Sequence, residues 1–357
     1  MKFSRMFDCV ETHSGEPMRV ITGGIPKIPG ATVYEKMCYL RDHDPQVRNL
    51  LEKEPRAYPP YCTDILVPAT DPRADVGVII IEPCGYPLVS GSNMGAVVTT
   101  LLETGMLPMQ YPYTDVVLEA PGGLIQCRAK CEGDKVKEVT YTNAPCFVPY
   151  IDTPLDVPGV GAILVDIAYS GMWYVHADIG QFEKLGIDLT NDYARQLTQL
   201  SAKLILAASE QITVKHPDFT DPRDNIVNIN FMTKALDDVK PSRHCVNAVT
   251  IVTEGNLSWD KPESLTGTLA RDASGTGGAA MVAIEYFKGN LGLHEKYINQ
   301  SLCGIQNTLE IIGTTKVGEY DAVIPNVTNQ AWITGFCKWV LDETDPFPNG
   351  YQMGDIW

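Results

Sequence analysis

Apolar positions along the chain recur mostly at the short periods of strands. Nine runs stand out: MRVITGG (18–24), DILVPAT (64–70), VGVIIIEP (76–83), DVVLEAP (115–121), GLIQCRA (123–129), EVTYTNAP (138–145), AILVDIAY (162–169), NIVNINFM (225–232) and NAVTIVTEG (247–255). They are rich in Val and Ile and are bounded by Gly, Pro and Asp, as strands with at least one buried face are. Helical spacing is rarer. It covers 33–54 and 191–212, the second opening on Asn191-Asp192 as an N-cap, and two shorter segments, 90-SGSNMGAVVTTLLETG-105 and 274-SGTGGAAMVAIEYFKG-289.

The two short segments share a layout. Each opens with Ser-Gly and small polar residues, continues into about three apolar-rich turns and closes on Gly fifteen positions after the serine. Only five aligned positions are identical, so the repeat rests on layout. Strands precede each segment and more strands follow, which predicts a duplicated α+β chain in which each half is a curved sheet around one central helix. Pro, Asp and Gly collect in 150-YIDTPLDVPGVG-161 and mark the expected seam. The halves are placed at 1–153, joined by C-terminal strands near 322–345, and at 154–321.

A length of 357 residues at 44% hydrophobic allows two substantial cores. With 28 basic against 44 acidic residues and a net charge of -16, neither nucleic acid nor an anionic membrane surface is an expected partner. The N-terminus lacks the apolar run of a secretory signal and no window has the length of a membrane span, so a cytoplasmic protein is expected. The ten cysteines then read as reduced thiols, most of them small core residues. Cys127 and Cys131 have no partner pair of Cys or His nearby, and no other clustered ligand set or nucleotide loop occurs, so neither metal nor cofactor is called for.

A helix start leaves backbone N–H groups unpaired and carries a partial positive charge, which suits a small carboxylate. Ser90-Gly91-Ser92-Asn93 and Ser274-Gly275-Thr276-Gly277 add glycines for close approach and short hydroxyl or amide side chains. If the halves face each other, both entrances converge on one cleft. For either stretch alone, a serine N-cap is the plainer reading.

Longer stretches carry a resemblance. THSGEPMRVITGGIPKIPGATVYEK (12–36), LEKEPRAYPPY (51–61), ADVGVIIIEPCGYPLVSGSNMGAVVTTLLETG (74–105), the SGTGG segment and AWITGFCKWVLDETDPF (331–347) together resemble the proline racemase family. That family also holds 4-hydroxyproline epimerases and trans-3-hydroxyproline dehydratases, and it shares the two-domain fold of diaminopimelate epimerase. The resemblance implies a cofactor-independent enzyme, often a homodimer, acting at the Cα of a pyrrolidine carboxylate held in a cleft between the domains. Two facing cysteines at the helix heads act as base and acid; in the dehydratases Thr or Ser replaces one of them.

The departures are informative. Where the family reads Met-Cys-Gly-His-Gly, this chain has Val89-Ser90-Gly91-Ser92-Asn93; where it reads Asp-Arg-Ser-Pro-Cys-Gly-Thr-Gly, this chain has Ala270-Arg271-Asp272-Ala273-Ser274-Gly275-Thr276-Gly277. Both thiols are thus serines, and the His and Asp that contact the amine are Ser92 and Ala270. Extra sequence, GNLSWDKPESLTGT, precedes the second motif. By position, Gly91, Ser92 and Asn93 with Gly275 and Thr276 would hold the carboxylate, and Tyr58, Trp173 and Tyr174 would line the pocket. A serine needs a partner base where a thiol at a helix start does not. Asp272 is the nearest carboxylate, open to service as base, amine contact or helix cap. His176 and Cys84 are further base candidates, for which core positions are the plainer reading. Dehydration or elimination of the trans-3-hydroxy-L-proline type, which needs one base, is expected ahead of stereoinversion, which needs two. Other chemistry, or plain carboxylate binding, in a repurposed pocket remains the third reading.

Overall fold

The computed structural model describes residues 3–252 and 257–353 and divides the chain into two compact units, Met1–Tyr141 with Asn329–Trp357, and Thr142–Thr328. The first begins with β1 (Phe3–His13), β2 (Pro17–Gly23), α1 (Val33–His43), α2 (Pro45–Glu52), β3 (Cys62–Val67) and β4 (Val76–Ile81). It continues with α3 (Gly91–Glu103), β5 (Tyr113–Ala120), β6 (Gly123–Glu132) and β7 (Lys135–Thr142). The second contains β8 (Phe147–Val157), β9 (Gly161–Tyr169), β10 (Trp173–Asp178), α4 (Ala194–Gln211), β11 (Val227–Ala235) and β12 (His244–Ile251). After them come β13 (Thr268–Leu269), α5 (Gly275–Phe287), β14 (Lys296–Ser301), β15 (Gln306–Val317) and β16 (Tyr320–Asn329). The chain then returns to the first unit as β17 (Trp332–Asp342).

Strand pairing reveals the duplication more clearly than residue identity does. In the first unit the order is β17-β1-β2-β3-β4-β5-β6-β7, with β2–β3 and β4–β5 parallel and every other neighbouring pair antiparallel. In the second it is β8-β9-β10-β11-β12-β14-β15-β16, with β10–β11 and β12–β14 parallel and the rest antiparallel. The sense of pairing is the same at every step. Parallel neighbours need a crossover, which a helix supplies: α1–α2 and α4 serve the first parallel pair of each unit, α3 and α5 the second. The α+β class expected from the sequence is the class found.

The serine-headed helices are the central ones. Eleven of the thirteen residues of α3 and ten of the thirteen of α5 are buried, as expected of helices that are apolar all round. Within the first unit α3 packs on β17, β2, β6, β1 and β3; within the second α5 packs on β15, β8, β9 and β10, while α4 covers β11 and β12.

Some local expectations need correction. The continuous helix expected over 33–54 breaks at Asp44, because Pro45 starts a new helix and has no N–H to continue the old one. Asn191-Asp192 forms a single 3-10 turn, and no side chain caps α4 behind it. Residues 150–161 run through β8 and the turn into β9. The last three residues of the run NAVTIVTEG, and the first two of GNLSWDKPESLTGT, lie outside the described residues. All ten cysteines are free thiols, seven of them buried. No described helix is long and apolar enough to cross a membrane.

Candidate functional site

Each helix start is a separate constellation, and the two are built differently. In the first unit Ser90 is the N-cap of α3, in extended backbone (φ -138°, ψ 128°), and its hydroxyl makes no capping bond. Helix geometry leaves the N–H groups of the first turn, Gly91, Ser92 and Asn93, without intrahelical acceptors. Ser92 is half-buried, whereas Asn93 is fully buried. The Asn93 side chain turns inward and donates from Nδ2 to Glu82 Oε1 at 3.3 Å.

Cys84 donates from Sγ to Glu82 Oε2 at 3.6 Å. Burial first, then the Glu82 charge, push this thiol well above its ordinary value, so it stays protonated and cannot serve as a thiolate base. Behind the helix start lies a buried acidic group. Glu52 is raised to about 8, by burial above all. Asp64 is raised well above the ordinary range by burial and then by Glu82 and Glu52, and neither of its carboxyl oxygens has a hydrogen-bond partner among the described residues. These carboxyls are held neutral where a charge would be costly. Tyr58 is exposed, with its ring edge-on to Tyr61 at 5.1 Å between centroids.

In the second unit Ser274 caps α5 from φ 49°, ψ 97°, one of three non-glycine residues with positive φ among the described residues. Its Oγ accepts from the Gly277 N–H at 3.1 Å. The preceding carbonyl is clamped by two buried amides: Asn299 Nδ2 donates to Ala273 O at 2.5 Å, Asn247 Nδ2 donates to it at 3.3 Å, and Asn247 Nδ2 also reaches Asn299 Oδ1 at 2.6 Å. Such a clamp keeps the sparsely populated Ser274 conformation in place. Thr276 is held from two sides, by Tyr174 Oη at 2.6 Å from its hydroxyl and by Ser170 Oγ donating to its carbonyl at 2.7 Å. Gly277 lies against the Phe231 ring, leaving no room for a β-carbon there.

The structure therefore brings Ser274, Gly275, Thr276 and Tyr174 together. Asp272 is buried two residues before Ser274. His176 packs against Phe231 in a tilted arrangement, ring centroids 4.8 Å apart, and burial lowers it to about 3, so it is neutral near pH 7 and a poor base. Trp173 lies in the hydrophobic core against Phe147 and Tyr169, which leaves little of it for a pocket wall.

Sequence reasoning missed the supporting groups: Glu52, Asp64 and Glu82 behind α3, Asn247 and Asn299 behind Ser274, and Ser170 under Thr276. A signal was present, since carboxylates and asparagines are depleted from strands yet occur in TDILV, VIIIEP, VNAVTI and YINQS.

Comparison with known proteins fits this geometry. The family profile "Proline racemase" matches residues 9–352. The chain is similar to the proline racemase of Acetoanaerobium sticklandii, 33% identical over 357 residues that cover 99% of this chain and 100% of the relative. Among solved structures it is similar to a hydroxyproline epimerase from Agrobacterium vitis with bound trans-4-hydroxy-L-proline, at TM-score 0.89 and 32% identity over 100% of this chain and 98% of the other. It is also similar to a probable proline racemase from Agrobacterium radiobacter with bound carbonate, at TM-score 0.88 and 30% identity over 98% of each chain.

Proposed function

Because the chain belongs to the proline racemase family, we propose that it is a cofactor-independent enzyme acting at the Cα of a small hydroxyproline-like amino acid, by dehydration of the trans-3-hydroxy-L-proline type. The candidate carboxylate contacts are the first-turn N–H groups of each helix start taken within its own unit, Gly91, Ser92 and Asn93 on α3 and Gly275 and Thr276 on α5. Elimination removes one proton from Cα, forms the Cα–Cβ double bond and releases the 3-hydroxyl with a proton as water. It needs one base, with Asp272 the candidate, and one hydroxyl near the leaving group, a role open to Ser90 or Ser274.

The observation that supports elimination over stereoinversion is the inequality of the two serines. Ser274 Oγ already accepts a hydrogen bond from the Gly277 N–H, whereas Ser90 makes no such bond. Inversion asks for two comparable groups, one for each face of Cα, and the nearby thiol of Cys84 is held protonated. Racemisation of proline or 2-epimerisation of 4-hydroxyproline is the second reading. It is favoured by the similarity to an epimerase that binds trans-4-hydroxy-L-proline.

One NMR experiment in deuterated water separates them. Proline, 4-hydroxyproline and both 3-hydroxyproline isomers are incubated with the protein, and a pyrroline carboxylate is expected from one 3-hydroxyproline isomer. Deuterium at Cα with inverted product and no elimination supports the second reading. Neither exchange nor product with any of the four overturns both, and leaves plain carboxylate binding or a different reaction in this pocket.

A further inference from the structure

The first unit carries a cluster of donor atoms that the proposed reaction does not use. In the antiparallel β1–β17 pair Cys9 lies directly opposite Cys337, and strand alternation brings Glu11, two residues on, to the same face as Cys9. The Sγ atoms of Cys9 and Cys337 and a carboxylate oxygen of Glu11 all lie within 4.8 Å of one another, the only such group among the described residues. We propose that Cys9, Glu11 and Cys337 form a binding site for one thiophilic divalent cation of the zinc type.

Four observations carry this. The first is distance. A tetrahedral zinc ion with bonds of about 2.3 Å to sulfur and about 2.1 Å to oxygen sets its donors about 3.6 Å apart. Glu11 Oε1 lies 3.4 Å from Cys9 Sγ and 3.3 Å from Cys337 Sγ, within a few tenths of an ångström of that oxygen–sulfur spacing, and the two sulfurs lie within 4.8 Å of each other. The second is orientation. Tyr61 Oη donates to Glu11 Oε2 at 2.9 Å and Trp339 Nε1 donates to Oε1 at 2.9 Å, the kind of outer hydrogen bonding that fixes a ligating carboxylate.

The third is charge. Two thiolates and one carboxylate carry three negative charges. Arg19, whose Nε is 3.6 Å from Glu11 Oε1, supplies one positive charge, and a divalent ion brings the set to neutrality. Arg19 is itself fixed: it is fully buried, donates to the carbonyls of Leu51 and Arg56, and lies 4.1 Å from the Tyr61 ring centroid and 4.6 Å from that of Trp339. The fourth is access. Cys9 and Glu11 are shielded to different degrees while Cys337 is exposed, which gives the ion an entry path and leaves a fourth position for water. On binding, each thiol gives up its proton to solvent and no electron is transferred. An ion here ties the first strand of the unit to its last.

The test uses the full chain, reduced and stripped with chelator, titrated with Co2+ and then with Zn2+. One equivalent of Co2+ is expected to produce thiolate-to-metal charge-transfer absorption, which Zn2+ abolishes by displacement, and the melting temperature is expected to rise with metal concentration. Cys337→Ser changes an exposed side chain and is expected to weaken Co2+ binding at least tenfold; the Cys9→Ser, Cys337→Ser pair is expected to remove the absorption. The proposal is overturned if Co2+ gives no thiolate band, or if Cys337→Ser binds as tightly as the unaltered protein. It is overturned equally if air converts the pair to a Cys9–Cys337 disulfide, seen by peptide mass mapping, while the reduced protein takes up no metal.

Discussion

Replacing Ser274 by alanine removes the hydroxyl that accepts from Gly277 N–H at 3.1 Å and leaves the backbone problem unchanged, because alanine carries the same β-carbon at φ 49°. The cost is therefore that of a lost N-cap, about 1 kcal/mol within a range of about 0.5–2, or about 2–4 °C in melting temperature for a unit of this size. Glycine at 274 also loses the cap, at a cost of a few tenths of a kcal/mol. It gains from the removal of left-handed strain, which costs an L-residue about 1–2 kcal/mol, so Ser274→Gly should be at least as stable as the unaltered protein. Ser90 makes no capping bond and sits in extended backbone, so Ser90→Ala should cost less than Ser274→Ala. Denaturant unfolding of the three variants beside the unaltered protein measures the order directly. Equal losses for Ser90→Ala and Ser274→Ala, or a Ser274→Gly variant less stable than Ser274→Ala, would refute the reading of the two helix starts as unequal. Turnover measured on the same samples then isolates chemistry, since a Ser90→Ala enzyme that is inactive yet fully stable cannot owe its loss to capping.

Three further outcomes follow from the packing and the buried charges. Gly277→Ala puts a β-carbon 2.5 Å from Phe231 Cδ2 and 2.7 Å from Ser274 Oγ; overpacking of this kind costs about 1–3 kcal/mol, and calorimetry should show partial rescue when Phe231→Leu is added, whereas a neutral Gly277→Ala contradicts the contact. Glu52 is raised from 4.5 to about 8, so the native state holds its proton more tightly than the unfolded chain does. Its contribution is complete below pH 4.5 and fades as pH rises through about 8, at about 1.4 kcal/mol per pH unit and proton. Glu52→Gln should flatten that slope in chemical denaturation, and an unchanged slope would refute the assignment. His176, lowered from 6.5 to about 3, acts on the other limb: stability is present above pH 6.5 and drains away as pH falls toward 3. His176→Gln should remove this acid-side loss, and a profile that does not change would place the proton elsewhere.

Much of this arrangement was legible in the sequence. The nine β-rich runs coincide with strands because Val and Ile at alternate or consecutive positions suit a pleated, buried surface whatever their neighbours. The two Ser-Gly entrances announce helix starts because short hydroxyls and glycines satisfy or expose first-turn N–H groups locally. The doubled order of elements, and with it the α+β duplication, also follows from chain order. One helix was drawn too long, although Asp44-Pro45 carried a local signal that a break was coming.

What no local signal could decide is which way a side chain turns once its helix is packed. Asn93 has the composition of a ligand group at a helix start, yet its amide faces Glu82 in the interior; Trp173 and His176 lie one and two residues from Tyr174 on β10, and of the three the tyrosine is the one that hydrogen-bonds to the helix start. Ser90 and Ser274 read almost alike in sequence, but the clamp of Asn247 and Asn299 on Ala273 drives one serine to positive φ and into a cap, while the other stays extended. The sequence by itself determined nine of the strands, their duplicated order and the doubled helix start, because hydrophobic periodicity and capping act over a few residues. Tertiary structure alone decided which serine is engaged, which thiol is silenced and which carboxyls are kept neutral, because those depend on desolvation and on partners brought from distant strands.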